Sequence, residues 1–537
     1  MLMDRRLLAP NALRLHAAAR PDAVFLEHVD GRHLTYRETE ALAACWAAGL
    51  RTAGVGPGER VAYLLADPVD SATVWLAAGL VRAVCVPVNS AYFGRMLAHV
   101  LADSGAVALV VAAEFADRIE AVAGELPALR VVVVTGTPGA AAGLPAIPYA
   151  RVLPAVELLA EVVQIDDDPG VEPYDTAAIL YTSGTTGPSK GVVTSWAAMH
   201  GYWSWVPPDT LAEGEALYCP MTLFHISGLG ALHYTLSRGG RFVTRDRFSA
   251  AAFWSDARAS GAVAAGLVGP MTAVLYAAAP RPDDADNPLR GLILGPMIPE
   301  TADLEQRFGV RVATCYGMTE VPPVIATGWD HGPWRNCGRL VDGYPWPEAR
   351  VVDDHDLPVP PGTVGELVVR TGAPWTLNGG YHGRPAATAH AWRNGWFHTG
   401  DAFRQDDQGR FYYVDRVKDA IRRRGENISS YEVESFVLDH PAVAECAAFA
   451  VPGAHGGDEV MIAVVPATRN DGEGPLDPEA LDAFLAAEMP RYMLPRYIEV
   501  VTELPRNTTS LRVQKHLLRE RGVTAATWDR EAKGTSW

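Results

Sequence analysis

The sequence predicts an α/β protein, a large N-terminal domain followed by a small α/β C-terminal domain, on three observations. Short Val-, Leu- and Ile-rich runs alternate with Ala-rich helical stretches, the rhythm of parallel strands joined by crossover helices. Across residues 330–415 the texture changes to short alternating strands broken by Gly and Pro. At 537 residues the chain is also too long for one hydrophobic core.

In order along the chain, residues 60–65, 84–88 and 108–111 read as strands, and 71–80 as one of the helices between them. Residues 136–148 are uncharged and rich in Pro, Gly and Ala, which marks a surface connection. Residues 177–180 form a short aliphatic run suited to a buried strand. The same rhythm resumes with an apolar run at 260–268 and strands at 291–295 and 310–315. Residues 350–352, 365–370 and 411–414 suggest a small antiparallel barrel or sheet. Beyond Arg416 come a helix from Ser430 and strands at 442–451 and 460–465. Asp477 then caps a helix with Pro478 at its first position, burying Leu481, Phe484 and Leu485 at i, i+3, i+4 spacing. A boundary between Val414 and Ala420 divides the chain into 1–415 and 416–537.

A net charge of −17 argues against nucleic acid or an anionic membrane surface as the main partner. It does not exclude a nucleotide, since the run Arg422-Arg423-Arg424 is locally cationic. The cysteines are scattered without a zinc-type spacing, as in a reduced, cytoplasmic protein. Arg5, Arg6 and Arg14 interrupt the N-terminal leucines, so no signal peptide is expected. No apolar run is long enough to span a membrane.

The most informative segment follows the 177–180 strand: Tyr181-Thr182-Ser183-Gly184-Thr185-Thr186-Gly187-Pro188-Ser189-Lys190-Gly191. Glycines let backbone N–H groups approach phosphate oxygens, hydroxyls add donors, and one lysine adds a point charge. The spacing is not that of the NTPase P-loop, because Ser189 stands where its second glycine belongs. The segment resembles the phosphate loop of the adenylate-forming superfamily of acyl-CoA synthetases, luciferases and nonribosomal adenylation domains. That resemblance implies two α/β sheet subdomains and a small β-barrel in the N-terminal domain, with a mobile C-terminal domain. It also implies that Thr182, Ser183, Gly184, Thr185, Thr186, Gly187 and Lys190 bind ATP.

Further segments extend the resemblance from about residue 20 to about residue 520. Tyr316-Gly317-Met318-Thr319-Glu320 follows a strand, at the carboxyl edge where α/β folds bind ligands. The resemblance implies that Tyr316 flanks adenine, with Gly317 beside it, that Thr319 contacts the α-phosphate and that Glu320 holds Mg²⁺. In Trp396-Phe397-His398-Thr399-Gly400-Asp401 the resemblance implies that Asp401 binds the ribose. In the segment beginning Asp415-Arg416-Val417-Lys418, Arg416 would touch ribose or phosphate, Lys418 would sit at a hinge and Gly425 would line the pantetheine path. Phe224-His225-Ile226-Ser227-Gly228 resembles the segment that gates the acid pocket. Ser227, Gly228, Gly230, Ala231, Met297 and Met318 would line that pocket, with Gly295 and Pro296 next to the nucleotide. The small side chains suggest room for an aromatic or medium-length acid, which a bulky residue at Gly230 should restrict.

The C-terminal tail departs from the pattern. Relatives end in a Gly-Lys pair whose lysine bridges the acid and the ribose, but here Ser510 and Leu511 occupy those places. Arg512, Arg422 or Lys515 could supply the charge, or the chemistry could differ. The expected activity is ATP-dependent activation of a carboxylate as acyl-AMP with release of pyrophosphate, most often followed by transfer to CoA. Two alternatives stand beside it: a diazotase-like enzyme of natural-product biosynthesis that activates nitrite, and a degenerate AMP-binding protein without turnover.

Overall fold

The computed structural model describes residues 3–136, 146–160, 170–182, 189–343, 345–416, 421–423, 426–428, 430–453, 458–467, 476–489, 493–506 and 513–533. Contacts divide the chain into two units, Met1–Ala349 with Val369–Phe397, and Arg350–Val368 with His398–Trp537. The strands expected to form a small barrel, 350–352, 365–370 and 411–414, fall in the second unit except for residues 369–370.

The first unit holds two sheets. One orders the strands Arg151–Pro154, Val131–Thr135, Ala108–Ala112, Arg60–Leu64, Val84–Pro87, Thr176–Thr182 and Lys190–Ser195. All its pairings are parallel except the last. The other runs from the hairpin of Asn336–Leu340, Val321–Ala326 and Arg311–Met318 into parallel strands Gly291–Gly295, Ala264–Val268, Ala216–Cys219, Arg241–Thr244 and Val24–His28. Fully buried strands flanked by helices explain why these runs read as continuous Val, Leu and Ile rather than alternating.

One continuous core joins the sheets: Val61 and Val110 from the first and Leu217 and Phe242 from the second share it with Trp75 and Trp196. Those tryptophans lie on the helices Pro68–Leu80 and Trp196–Ser204. Asp67 starts the former helix by accepting from the N–H groups of Val69 and Asp70, with Pro68 just inside.

In the second unit, residues 401–405 of the strand Trp396–Gln405 pair antiparallel with Phe411–Arg416. A hairpin of Ile421–Arg423 and Glu426–Ile428 follows. A sheet of Val443–Pro452, Asp458–Pro466, Tyr497–Val500 and Trp528–Asp529 then packs against Ser430–Leu438 and Pro478–Glu488. Asp477 caps the latter helix as its sequence requires, and Leu481 and Leu485 are fully buried. Among the described residues, no helix is long and apolar enough to cross a membrane.

Candidate active site

The site is built on the last two strands of the first sheet. Thr176–Thr182 and Lys190–Ser195 pair with Thr182 opposite Lys190, so the loop leaves and re-enters the sheet at one point. Ser183, Gly184, Thr185, Thr186 and Gly187 lie outside the described residues. Both shoulders of the loop are anchored. The Tyr181 hydroxyl donates to Asp103 Oδ2 at 2.9 Å, and Arg384 pairs with Asp103 Oδ1 at 2.5 Å. Burial, and then the adjacent carboxylate, push the Tyr181 hydroxyl well up, so it stays a donor. His99 Nε2 lies 2.9 Å from the Ser189 carbonyl on the other side.

Residues 378–382 run alongside Lys190–Ser195. Val193 N–H donates to Gly380 O at 3.0 Å, and Gly379 N–H to Val193 O at 2.8 Å. His382 N–H reaches Gly191 O at 2.8 Å. Gly380 sits at φ +97, where a Cβ would lie 2.6 Å from Thr388 Cγ2, so glycine is required there. This added backbone lays the Tyr381 ring 5.1 Å from Lys190 Nζ. The Tyr381 hydroxyl donates to Glu320 Oε1 at 3.0 Å. Asn378 holds the Glu320 carbonyl twice, through its side-chain amide at 2.7 Å and its backbone N–H at 3.2 Å. Lys190 and the buried Glu320 therefore meet on one tyrosine.

The Tyr316-to-Glu320 motif is a hairpin rather than a loop after a strand. Arg311–Met318 continues through Tyr316 and Gly317 and pairs with Val321–Ala326, leaving Thr319 and Glu320 as the turn. Cross-strand pairing of Tyr316 with Ile325 extends the strand beyond the expected end at Cys315. Tyr202 braces the turn, its hydroxyl donating to Met318 O at 2.9 Å and to Thr319 O. Burial, reinforced by the Glu320 charge, raises the Tyr202 hydroxyl far above its ordinary value. No motif in the sequence marks Tyr202, Asn378 or Tyr381 as part of the site. The glycine pair before Tyr381 was the available signal, since consecutive glycines mark close backbone approach.

In the second unit Asp401 stands directly across from Arg416 in the strand pair, two expected nucleotide contacts brought side by side. The strand backbone before the buried Asp401 is fixed by Glu366, which accepts from Gly400 N–H at 3.0 Å and lies 2.9 Å from His398 Nδ1.

The profile of the AMP-binding enzyme family matches residues 13–381, and that of the AMP-binding enzyme C-terminal domain matches 432–510. The chain belongs to the AMP-binding enzymes. It is 35% identical over 516 residues to a feruloyl-CoA synthase from an Amycolatopsis species, covering 93% of this chain and 96% of that one. It is 30% identical over 482 residues to a crotonobetaine/carnitine–CoA ligase of Salmonella agona, covering 86% and 89%. Its fold matches ATP-bound MatB from Rhodopseudomonas palustris with a TM-score of 0.79 at 25% identity, covering 95% and 98%. This AMP-binding enzyme is an AMP-forming acid–thiol ligase that works with an acid, ATP and CoA. The relatives favour that activity over the diazotase alternative.

Several expectations for this AMP-binding enzyme are revised by packing. Gly230 does not open pocket space: a Cβ there would lie 2.9 Å from both Trp203 Cδ1 and Tyr202 Cβ. It allows the helices Ile226–Ser237 and Trp196–Ser204 to touch, and the indole of Trp203 donates to Ser227 O at 3.2 Å. At Gly228 likewise a Cβ would lie 2.4 Å from the backbone oxygen of Thr222. Ala231 is fully buried in the core between the sheets, and Met297 is buried beneath the second sheet. His225 is exposed at the start of Ile226–Ser237, its ring 4.7 Å from that of Phe224. Gly295 and Pro296 are exposed at a strand end, and Met318 is half-buried.

Lys515 is not a spare cation. Its ammonium lies 2.8 Å from Glu434 Oε1 and also reaches the Ser430 hydroxyl. Arg423, from the cationic run, is buried, paired with Glu459 at 2.6 Å and bonded to Leu494 O at 2.9 Å. Lys418, Gly425 and Arg512 lie outside the described residues, as does the side chain of Arg422.

Proposed function

We propose that this ligase activates an aromatic or medium-size carboxylic acid and passes it to CoA. One observation carries the nucleotide half of that reading: Lys190 and Glu320 converge on Tyr381 beside the Thr319 turn. A point charge for phosphate oxygens and a carboxylate for a hard cation thus share one site. A single buried, tyrosine-anchored carboxylate fits Mg²⁺, which takes one or two protein carboxylates alongside substrate phosphates. When bound, Mg²⁺ neutralises phosphate charge.

In the first step a carboxylate oxygen attacks the α-phosphorus, the acyl–phosphate bond forms and pyrophosphate leaves. Residues 182–187 and Lys190 hold the phosphates, Thr319 orients the α-phosphate, and Asp401 and Arg416 take the ribose. In the second step the CoA thiol attacks the acyl carbon and AMP departs. Rotation about a hinge near Lys418, at the boundary of 1–415 and 416–537, exchanges the two steps, with Gly425 lining the pantetheine path. Arg512 is the favoured source of the tail charge, with Arg422 the alternative, since Lys515 is already paired with Glu434.

Likeness to a feruloyl-CoA synthase supports an aromatic acid, and the His225–Phe224 pair offers an aromatic gate. The free thiols of Cys45, Cys85, Cys219, Cys315, Cys337 and Cys446 support a reducing, cytoplasmic setting. The deciding experiment measures pyrophosphate release with a panel of aromatic and aliphatic acids, with and without CoA. Acid-dependent release with thioester formation is expected. Release only with nitrite and an aryl amine, or none at all, would refute the proposal.

A further inference from the structure

The geometry points to Tyr381 as a positioning residue that couples the cation site to the phosphate lysine, an inference that rests on the adenylation reading above. The residue sits on no strand of its own. It is carried to the site by backbone laid along Lys190–Ser195, where Val192 and Tyr381 form an antiparallel bridge. Its N–H donates to Thr388 Oγ1 at 2.9 Å, and that hydroxyl also bonds Arg384 O at 3.0 Å, so the position is set from both sides. From there it does two separable things. The hydroxyl anchors Glu320 Oε1 at 3.0 Å, which orients the carboxylate. The ring face lies 5.1 Å from Lys190 Nζ, a distance that holds an ammonium without neutralising it. A carboxylate in that place would quench the lysine instead, and a lysine whose charge is quenched serves phosphate poorly. Groups that orient a metal ligand commonly govern metal affinity about as strongly as 10–100-fold.

The two contacts can be removed one at a time. Tyr381→Phe deletes the hydroxyl and keeps the ring; Tyr381→Ala deletes both. The full chain is titrated with ATP by calorimetry, with and without Mg²⁺, and Mn²⁺ binding in the presence of ATP is followed by electron paramagnetic resonance. Melting temperatures show that each variant is folded. For Tyr381→Phe, ATP binding without metal should stay within about twofold of wild type, while Mn²⁺ affinity falls roughly tenfold or more. For Tyr381→Ala, metal-free ATP binding should weaken as well, by roughly two- to fivefold. A folded Tyr381→Phe protein with wild-type Mn²⁺ affinity overturns this inference and leaves the adenylation reading intact. Equal loss of metal-free and metal-dependent binding in Tyr381→Phe also overturns it, because the hydroxyl would then act on the nucleotide site as a whole. A wild-type protein that binds no ATP overturns both.

Discussion

Lys515 Nζ lies 2.8 Å from Glu434 Oε1, and the same carboxylate oxygen accepts from the N–H of Ala448 at 2.8 Å. The lysine thus ties its helix, Lys515–Arg521, to Ser430–Leu438 and to the strand Val443–Pro452. Both partners are largely buried, so removing one leaves the other poorly compensated. Lys515→Met should lower stability by about 1–3 kcal/mol in urea denaturation. Turnover at saturating substrate should change little, and pairing it with Glu434→Gln should recover part of the loss. A large drop in turnover without loss of stability would return Lys515 to the chemistry.

Arg512 is the complementary case. If it replaces the missing lysine, Arg512→Ala should slow acid-dependent pyrophosphate release by roughly a hundredfold or more, the typical effect of losing one preorganised charge contact. A melting temperature measured beside it separates a loss of folding from a loss of chemistry. Stopped-flow detection of pyrophosphate separates this step from thioester formation.

Glycine at 230 is required by helix contact, so Gly230→Ala should cost about 1–3 kcal/mol through overpacking. The readout is the melting temperature, with the acid profile measured beside it. A changed acid preference in a protein of unchanged stability would restore the pocket role first given to this position.

Acid should loosen the walls of the site. His200 Nδ1 lies 3.3 Å from His233 Nε2, between the two helices that carry Tyr202 and Ser227. Burial lowers His200 to about 4, and burial followed by the neighbouring imidazole also pushes His233 well below its ordinary value. A depressed folded value means stability that is present above the ordinary value near 6.5 and lost as pH falls through about 4. For His200 the loss amounts to about 3 kcal/mol. Urea denaturation at intervals from pH 7 to pH 4 should show a shallower decline in His200→Asn than in wild type; parallel declines would contradict this.

Much of the architecture was readable because it rests on local chemistry. Gly291–Gly295 was placed to the residue, since glycines bound a fully apolar run. Asp477 and Pro478 marked a helix start through one cap and one missing N–H. The motif strand ran three residues past its expected end because cross-strand partners, which no local rule supplies, completed its ladder. Phe484, in phase with Leu481 and Leu485, stays only half-buried at the edge of the helix face.

By itself the sequence determined which residue types were available for phosphate, cation and ribose, and the order of the strands that deliver them. Those properties follow from side-chain chemistry and short-range periodicity. Only the tertiary structure decided which charges are engaged elsewhere: Lys515 by Glu434, Arg423 by Glu459, and the space at Gly230 by Trp203. It also brought in Tyr381, 61 positions from Glu320 along the chain. Pairing and close packing between distant segments depend on where the backbone returns, and that is a property of the whole fold.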